Sequence, residues 1–407
     1  MPIPNKSTVL VVNAGSSSVK FTLFQIEDET VLATGIVERI GLSGTRLVYT
    51  GHTNETRTRA VHAQTARDAV LLIIQHMTEA KQGIIANKDA LAGIGHRVVH
   101  GGDQIHQSVI IADPIKHIIE NCSTLAPLHN PPNLAGIEAC QRRFPDLPQV
   151  AVFDTAFHAT LPQEAFLYGL PYRFYAAGKI RRYGFHGTSH AYVSREAARH
   201  LGKPLSALKL ITCHLGNGSS ITAVKHGRSI DTSMGFTPLE GTIMGTRCGS
   251  IDPAVVVHLM RHHQMSVDQI DQLLNKESGF EGLAGIGSSD ARDVVTAMDA
   301  GNKQAAAAIN LYVYQIRKYL GAYMAAMNGL DAIVFTAGIG ENSVRIRELI
   351  CNGGYGLQQL GIHLDPPKNE DSVDACLEIQ AESSRVKLLV IPTNEALEIA
   401  RQTIALL

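Results

Sequence analysis

The chain of 407 residues is 45% hydrophobic, and its 36 lysines and arginines almost balance 37 aspartates and glutamates, giving a formal net charge of −1. This composition excludes an intrinsically disordered chain, and the charge balance argues against a nucleic-acid groove, which requires a basic excess. No stretch reaches the ~20 apolar residues of a membrane span.

The six cysteines form no C-x-x-C pair, which predicts reduced, mostly buried thiols rather than a zinc site or a disulfide framework. The first eight residues show no pattern of a secretory signal. We therefore expect a cytoplasmic protein that binds neither nucleic acid nor a membrane, and this length favours two or three domains.

The predicted elements begin with a hairpin. Residues Val9 to Thr22 form an apolar run, a small polar turn and an alternating run, which is typical of strand, turn and strand. A helical pattern covers Thr65 to Thr78. Buried strands follow at Leu91 to Val99 and at Gln149 to Phe153, and the second of these ends at Asp154.

The second half of the chain repeats the hairpin at Leu210 to Val224. Two matching hairpins predict duplicated α/β domains with a cleft between them, with coincidence as the alternative because such hairpins are common. Alternating strands and helices further predict a largely parallel sheet in each half. The other predicted elements are helices at Ser189 to Leu201, Val255 to His262 and Lys303 to Met327, a strand at Asp331 to Thr336, and a helix from Val344.

Three short segments are suited to phosphate binding. Asn13 to Ser18, with Lys20, and His214 to Gly218 are small-residue turns whose open backbone N–H groups can form an anion-binding nest. Gly338 to Gly340 follow a strand and precede a helix, where the helix N-terminus favours anions. Each alone could be a simple turn. Three together indicate a nucleotide, although the Walker, dinucleotide-fold, protein-kinase and G-x-S-x-G patterns are all absent.

Two arginines and two acids lie where ligand groups are expected. Arg97 and Arg247 are flanked by glycines and small residues, and a guanidinium fork suits carboxylate and phosphate. Asp154 and Glu395 follow strands, at the edge where α/β sheets bind ligands, and could hold Mg²⁺. The alternatives are surface charges for the arginines and helix caps for the acids.

His186 and His190 are spaced four apart, as in a helical zinc site. Gly187 interrupts that stretch, and no acid lies between the histidines. We therefore expect His186 in a loop, as a donor to an anionic oxygen, and His190 near the start of a helix in a structural role.

These groups favour phosphoryl transfer to a carboxylate. A carboxylic acid is already ionised at pH 7, so such a nucleophile needs no general base. It must approach a polyanion, and two unit charges about 4 Å apart repel by about 4 kcal/mol at an effective dielectric near 20. Two arginines, a histidine and Mg²⁺ can offset this repulsion.

Long motifs in order along nearly the whole chain carry a resemblance to a known family. They are N-A-G-S-S-S-x-K, G-H-R-V-V-H-G-G, A-P-L-H-N-P, F-D-T-A-F-H, R-R-Y-G-F-H-G-T-S-H, H-L-G-N-G-S-S, D-T-S-M-G-F-T-P-L-E-G, M-G-T-R, S-S-D-x-R, F-T-A-G-I-G-E-N and I-P-T-N-E. With these motifs the chain resembles the acetate kinases, or acetokinases, of the actin-like superfamily of acetate and sugar kinases.

The resemblance implies two actin-like, ribonuclease H-like α/β domains with an interdomain cleft, formed by residues 1–154 plus 396–407 and by residues 155–395. The implied reaction is a direct, in-line and reversible transfer from ATP to acetate, which gives acetyl phosphate and ADP. A homodimer joined through the C-terminal domain, which also binds the nucleotide, is implied as well.

The resemblance also implies roles for individual residues. The catalytic set is Arg97, Asp154, His186 and Arg247, with Arg97 and Arg247 holding the acyl and phosphoryl groups. Asn13 and Glu395 lie at Mg²⁺, for which Mn²⁺ is a substitute. Val99, Leu128, Phe185 and Pro238 form the pocket for the acid's methyl group, with His129 nearby in the cleft. The nucleotide-binding residues are Ser16, Ser18, Lys20, His214, Leu215, Gly216, Asn217, Gly218, Asp290, Ala291, Arg292, Gly338, Ile339, Gly340, Glu341 and Asn342.

The sequence departs from the family pattern in two places. Cys248 and Ser250 give R-C-G-S where the family usually has R-S-G-D, and Ala396 follows Glu395 where a second glutamate is common. These changes bear on the support of Arg247 and on the surroundings of the metal.

Two kinds of alternative remain open. A propionate kinase would use the same mechanism; Val99 favours acetate, although one methylene gives only about 1–3 kcal/mol of discrimination. A butyrate kinase fits less well, since that relative is shorter and has a different pocket. A non-catalytic actin-like module would share the fold and phosphate loops, but would not need Arg97, Arg247 and His186 together.

Overall fold

The structure is a computed structural model that describes residues 7–51, 55–78, 90–352, 354 and 356–407. The chain forms two compact units, one of Met1–Ala159 with Asn394–Leu407 and one of Thr160–Thr393. Most of the first eight residues, for which no secretory signal is expected, lie outside the described residues.

The described strands are β1 (Thr8–Ala14), β2 (Ser18–Gln25), β3 (Val31–Glu38), β4 (Arg46–Thr50), β5 (Thr56–Ala60), β6 (Leu91–Val98), β7 (Val109–Ile110), β8 (Gln149–Phe153), β9 (Lys209–Leu215), β10 (Ser219–Lys225), β11 (Arg228–Thr232), β12 (Ala332–Thr336), β13 (Leu377–Glu378) and β14 (Lys387–Val390).

The described α-helices are α1 (Ala66–Thr78), α2 (Asp113–Asn121), α3 (Asn130–Arg143), α4 (Gln163–Phe166), α5 (Arg173–Ala176), α6 (Gly187–His200), α7 (Pro253–His262), α8 (Val267–Lys276), α9 (Gly279–Ala284), α10 (Ala291–Asp299), α11 (Lys303–Met327), α12 (Ala337–Asn342), α13 (Val344–Asn352), α14 (Pro366–Asn369) and α15 (Glu395–Ile404). Short 3₁₀ helices occur at Cys122–Thr124, Ala156–Thr160, Leu205–Ala207 and Gln358–Leu360.

The first unit is built on a mixed sheet in the order β5-β4-β3-β2-β1-β6-β8-β7. One face of this sheet packs against α1, where Val70, Ile73 and Ile74 are buried with Leu10 and Leu23. On the other face, α15 packs its apolar stripe, including Ile399 and Ala400, against β1 and β8. This packing fixes the start of α15, and therefore Glu395, in the first unit.

The second unit has a mixed sheet in the order β11-β10-β9-β12-β14-β13. Its core surrounds the long helix α11, whose Ile309, Tyr312 and Ile316 are fully buried. The helix begins where the side chain of Asn302 accepts hydrogen bonds from two backbone N–H groups, and it ends at Asn328 in the left-handed conformation. The first is a common N-terminal cap and the second a common C-terminal cap of helices.

The two sheets confirm the predicted duplication. The order β3-β2-β1-β6-β8-β7 of the first matches β11-β10-β9-β12-β14-β13 of the second, strand for strand. In both, a hairpin is followed by two parallel strands and an antiparallel edge strand. Most predicted helices and strands occur within a few residues of their expected bounds.

The expectation of largely parallel sheets is wrong. In the described sheets, the parallel pairs are β1–β6, β6–β8, β9–β12 and β12–β14, and the other neighbouring pairs are antiparallel. The reason is that each half begins with a meander of strands joined by short connections, which force antiparallel pairing. Only the strands separated by helices pair in parallel.

The structure bears on the expectations for the cysteines and for membrane-spanning helices. All six cysteines are free thiols, of which four are buried and Cys248 and Cys376 are partly buried. None of the helices in the described part of the chain is long and apolar enough to span a bilayer.

His96 on β6 should make stability depend on pH. Its ring is 2% exposed, and burial lowers its pKa from 6.5 to about 4, although a hydrogen bond with Gln149 acts in the opposite direction. The unfolded chain is therefore protonated first, so stability present above pH 6.5 is lost as the pH falls towards 4. We expect the destabilisation caused by His96→Gln, measured by urea unfolding, to be about 2 kcal/mol smaller at pH 5 than at pH 7.5. An equal destabilisation at both pH values would contradict this role.

Candidate functional site

Arg97 and Asp154 form an ion pair at the carboxyl ends of neighbouring parallel strands. Arg97 lies near the end of β6, and Asp154 follows β8, which pairs with β6 in parallel. Nη2 of Arg97 donates to Oδ2 of Asp154 at 2.6 Å, and the backbone N–H of Asp154 donates to the carbonyl of Val98. Asp154 is 1% exposed. The parallel pairing of β6 and β8 brings these two predicted residues together.

Asn13 and Glu395 complete this group in the first unit. Nη1 of Arg97 donates to the amide oxygen of Asn13 at 3.4 Å, and Glu395 begins α15. Burial lowers the pKa of Arg97, but the charges of Asp154 and Glu395 outweigh it, and the net pKa is raised. Burial and the charge of Asp154 raise the pKa of Glu395 against the opposing effects of Arg97 and Lys20.

This donor set fits magnesium. Two carboxylates that repel each other and an amide oxygen are hard oxygen ligands, and a divalent cation beside them would relieve the repulsion. Among the described residues, no group of three or more His, Cys, Asp or Glu side chains is arranged to hold a metal. Mg²⁺ commonly uses only one or two carboxylates with substrate phosphates and water, so Asn13, Asp154 and Glu395 suit it better than zinc.

The first phosphate loop is the turn between β1 and β2. The N–H of Gly15 donates to the carbonyl of Ser18 at 2.8 Å, which closes the turn. Ser16 and Lys20 are exposed and Ser18 is partly buried. Their donors are therefore available to a ligand at this turn.

His186 and His214 are stacked in the second unit. Their ring centroids are 4.1 Å apart with planes inclined at 24°. Nδ1 of His186 is 2.9 Å from the hydroxyl of Ser220, and Nδ1 of His214 is 2.8 Å from that of Ser189. Each ring is thus oriented by a serine on an adjacent element.

The structure confirms the expected positions of His186 and His190, whereas the role of His186 as a donor to an anionic oxygen stays a prediction. His186 precedes α6 in the left-handed conformation, with φ of 57°. His190 lies inside the helix, and its two ring nitrogens hydrogen bond with Thr212 and Ser220. Both nitrogens of His190 are occupied by structural contacts, which does not fit a zinc ligand.

Arg247 meets His186 beside the second phosphate loop. A Cβ added at Gly218 would lie 3.4 Å from both Nη1 of Arg247 and Nε2 of His186, so glycine keeps the space beside these two groups open. The loop that carries Arg247 is joined to the second phosphate loop, because the N–H of Gly245 donates to the carbonyl of Asn217. Two donors therefore converge on the loop at Gly216 to Gly218.

Arg247 is held by neutral acceptors. Its Nη1 donates to the carbonyl of Pro238 at 3.1 Å, and burial lowers its pKa. No carboxylate among the described residues pairs with it. A partly buried guanidinium without an acidic partner is stabilised by binding an anion.

A cavity of about 710 Å³ opens next to this loop in the second unit. It is lined by predicted and unpredicted residues. The predicted ones are Gly216, Asn217, Asp290, Ala291, Arg292, Gly338, Ile339 and Asn342, and the others are Phe280, Ser289, Val295, Ser343, Val344 and Arg345. The predicted lining residues could be found from the sequence because they lie in recognisable loops. Phe280 and Val295 could not, because they lie on helices α9 and α10, where an apolar residue indicates only a core position.

Some predicted nucleotide residues make structural contacts. Leu215 and Glu341 do not belong to the lining of this cavity, whereas Asp290 and Arg292 do. Leu215 is fully buried in the core. One carboxylate oxygen of Glu341 accepts from the N–H groups of Ala337 and Thr393. Asp290 caps α10 and pairs with Arg292 at 2.6 Å. Direct contact of these residues with a nucleotide stays a prediction.

The four residues predicted for the acid pocket differ in burial. Val99 and Phe185 are 4% and 2% exposed, whereas Leu128 is 60% exposed. Pro238 contributes the carbonyl that receives Arg247. Their common pocket stays a prediction.

Asn133 is a support that sequence reasoning missed. Its side chain donates to the carbonyl of Ala14 at 2.6 Å and accepts from the N–H of Val99 at 3.1 Å. It thereby links the first phosphate loop to a residue predicted for the acid pocket. The only signal in the sequence was its nearness to the A-P-L-H-N-P motif.

The fold defines a class, the actin-like α/β proteins, and turns suited to phosphate binding occur in both halves. Four similarities to known proteins narrow this class to one family. The chain is 51% identical over 396 residues to an acetate kinase of Dictyoglomus thermophilum, covering 97% of this chain and 98% of the relative. An acetate kinase structure from Porphyromonas gingivalis matches with a TM-score of 0.91 and 42% identity, covering 98% of this chain and 99% of the other.

A propionate kinase structure from Francisella tularensis matches equally well, with a TM-score of 0.91, 41% identity, and coverage of 98% and 100%. The profile of the Acetokinase family matches residues 8–401. The chain therefore belongs to the acetokinase family, whose members are kinases.

Proposed function

We propose that this protein is an acetate kinase, which transfers the γ-phosphoryl group of ATP to acetate and runs reversibly. The observation that carries the proposal is the convergence of Arg247 and His186 beside the open backbone at Gly218. A carboxylate oxygen attacks the γ-phosphorus, and the bond from that phosphorus to the β–γ bridging oxygen breaks. The products are acetyl phosphate and ADP, and no proton has to be removed from the nucleophile.

Each part of the site has a defined task in this proposal. The guanidinium of Arg247 and the ring of His186 would stabilise charge on the transferred phosphoryl group. Arg97, paired with Asp154, would bind an oxygen of the acid or of the phosphoryl group. Asn13, Asp154 and Glu395 would hold Mg²⁺, or Mn²⁺ in its place, and the ion would neutralise phosphate charge when bound.

The nucleotide is proposed to occupy the cavity of the second unit, with its phosphates towards Gly216 to Gly218. Ala291, Ile339 and Val295 offer apolar contacts, while Gly338 presents backbone at the start of α12. Ser16, Ser18 and Lys20 would add phosphate contacts from the first loop.

Gly338 offers a test of this cavity. A Cβ there would meet no atom within 4 Å, and the residue is helical, so a large side chain should enter the cavity without straining the fold. We expect Gly338→Phe to raise the Kd for ATP by about tenfold or more, because it blocks contacts in a preformed pocket. Isothermal titration would measure the Kd. Gly321→Phe is the matched control, since a Cβ at Gly321 on α11 also meets nothing within 4 Å. Unchanged ATP affinity in Gly338→Phe would remove the nucleotide from this cavity.

Propionate is the second candidate acid, because a propionate kinase matches this fold as closely as an acetate kinase does. We propose that acetate is preferred, with Val99 narrowing the pocket and with measurable side activity on propionate. The values of kcat/KM for acetate and propionate decide which acid is preferred. A clear preference for propionate would replace acetate as the substrate.

A non-catalytic actin-like module is separated from a kinase by trapping the product. Pure protein incubated with ATP, Mg²⁺, acetate and hydroxylamine should form acetyl hydroxamate. If folded protein binds ATP but forms no hydroxamate with any short-chain acid, the module is the better description.

We also propose that the protein is a cytoplasmic homodimer. The support for the homodimer is four exposed apolar side chains on and before α7, those of Ile251, Val255, Val257 and Met260, since exposed apolar patches often mark subunit interfaces. Sedimentation equilibrium should give twice the chain mass of 43.9 kDa.

A further inference from the structure

Three side chains of the second unit form a network that the proposed chemistry does not use. We call Tyr168, Arg182 and Glu240 the Glu240 clamp. One carboxylate oxygen of Glu240 accepts from Nη2 of Arg182 at 2.6 Å, and the other accepts from the hydroxyl of Tyr168 at 2.6 Å. Both oxygens of the carboxylate are therefore engaged by groups distant in the sequence.

The clamp holds one backbone segment, residues 232–236. Nη1 of Arg182 donates to the carbonyls of three successive residues, Thr232, Ser233 and Met234, at 2.8, 3.1 and 3.2 Å. The hydroxyl of Tyr168 accepts from the N–H of Phe236 at 2.8 Å. Glu240 contacts both Arg182 and Tyr168, and these two side chains contact the segment. The backbone path of residues 232–236 therefore depends on all three clamp residues.

The held segment lies between the groups proposed to do the chemistry. Two residues after it comes Pro238, whose carbonyl receives Arg247. Its Gly235 carbonyl accepts from the N–H groups of Tyr183 and Gly184, which lead directly into Phe185 and His186. The clamp thus supports both the backbone that carries Phe185 and His186 and the carbonyl that orients Arg247.

Gly235 shows how closely this part is packed. A Cβ at this position would overlap the carboxylate of Glu240 and the hydroxyl of Tyr168. The bare backbone of residue 235 is therefore pressed against the clamp, and a movement of either side chain would be transmitted to the segment.

The protonation state of Tyr168 in the clamp is also defined. Burial, with the hydrogen bond and the charge of Glu240, raises the pKa of Tyr168, so its hydroxyl keeps the proton that it donates to the carboxylate. An amide in place of that carboxylate would lose the ion pair with Arg182. If its oxygen stayed on Arg182, its NH₂ group would face Tyr168, whose hydroxyl would have to accept instead of donate.

We propose that the Glu240 clamp is a positioning device that sets the placement of Phe185, His186 and Arg247, and hence the turnover and acid selectivity of the enzyme. The proposal rests on the proposed function. The clamp residues themselves are not among the groups proposed to contact the reacting atoms. Their effect should therefore appear in the acid side of the reaction and not in nucleotide affinity.

The test uses the full chain with Glu240→Gln, which keeps the size of the side chain. We expect kcat/KM for acetate to fall by about 100-fold, since small misplacements of catalytic groups have effects of this size. The ratio of kcat/KM for propionate to that for acetate should change by about tenfold, near the low end of what one methylene controls. The Kd for ATP should stay within about twofold of wild type, because the cavity lies on other elements.

Two further variants keep the test interpretable if Glu240→Gln folds poorly. Tyr168→Phe removes one hydroxyl and should lower kcat/KM for acetate by about tenfold, one lost hydrogen bond being a smaller change. The acid ratio should shift in the same direction as in Glu240→Gln, but by less. Glu378→Gln is the matched control, because Glu378 also accepts from several donors, Lys387, Gln380 and His200 among them, but lies on edge strand β13. It should leave kcat/KM and the acid ratio unchanged.

The outcomes separate the inference from the proposed function. Wild-type protein that forms no acyl phosphate would overturn the proposed function and this inference with it. Active wild-type protein, with folded Glu240→Gln and Tyr168→Phe variants that match it in kcat/KM and acid ratio, would overturn the inference alone. A loss of ATP affinity as large as the loss of turnover would also overturn it, because the clamp would then support the whole unit.

Discussion

Replacing Arg247 with alanine should lower kcat by about three orders of magnitude while the protein still binds ATP. The guanidinium lies with His186 beside Gly218, and it is held only by neutral acceptors among the described residues. Its charge is therefore available to the transferred phosphoryl group. Removing a donor that stabilises charge in the transition state costs about 10²–10³ in rate, and arginines in phosphoryl transfer can be worth more.

Stopped-flow or hydroxamate assays at saturating ATP and acetate would measure this loss, with ATP affinity from titration. Arg247→Lys is the informative companion, because it keeps a cation but loses the planar fork, and we expect it to recover only a small part of the rate. The role would be refuted by an Arg247→Ala enzyme that turns over normally, or by one that no longer binds ATP.

Arg97→Ala should reduce both activity and stability. Asp154 is 1% exposed and loses its ion pair with Arg97, so the charge of Arg97 no longer offsets the repulsion between Asp154 and Glu395. Breaking one side of a buried ion pair typically destabilises by about 3–5 kcal/mol. Turnover should fall by at least about 100-fold as well, because the anion loses its binding partner, while ATP affinity persists.

The loss of stability in Arg97→Ala should depend on pH in a defined direction. The folded-state pKa of Glu395 is already raised, by burial first and then by Asp154, and removal of Arg97 raises it further. A carboxyl group whose folded pKa is raised stabilises the fold at low pH and loses that contribution as the pH rises through the folded pKa. Urea unfolding should therefore show a larger destabilisation at pH 8 than at pH 5. A destabilisation that is independent of pH would mean that Glu395 does not respond to Arg97.

The features that could be predicted from the sequence are local ones. The turns at Asn13 to Ser18 and at His214 to Gly218 are encoded by their own glycines and serines, and α11 by an alanine-rich pattern with Asn302 at its start. β8 was predicted from the sequence as a buried strand that ends at Asp154, and Gln149 to Phe153 are buried throughout. For these elements, propensity and burial agree, so a short window of sequence is sufficient.

The features that could not be predicted depend on distant contacts. Arg182 reaches Glu240 across 58 residues, and Tyr168 reaches it across 72, so no spacing in the chain reveals the clamp. Asn133 contacts Ala14 across 119 residues. The sheets were expected to be largely parallel because helices alternate with strands, yet the meanders that open each half, starting with β1 and β9, make most pairs antiparallel. Pairing is a tertiary outcome that composition does not specify.

The proposed mechanism rests on the claim that several cations allow two anionic reactants to meet. A crystal structure with ADP, Mg²⁺, aluminium fluoride and acetate would show whether they do. The guanidinium groups of Arg97 and Arg247 and a ring nitrogen of His186 should lie within about 3 Å of oxygen or fluorine atoms of the acid and the planar phosphoryl mimic. A structure in which either guanidinium points into bulk solvent, away from the mimic, would contradict the claim.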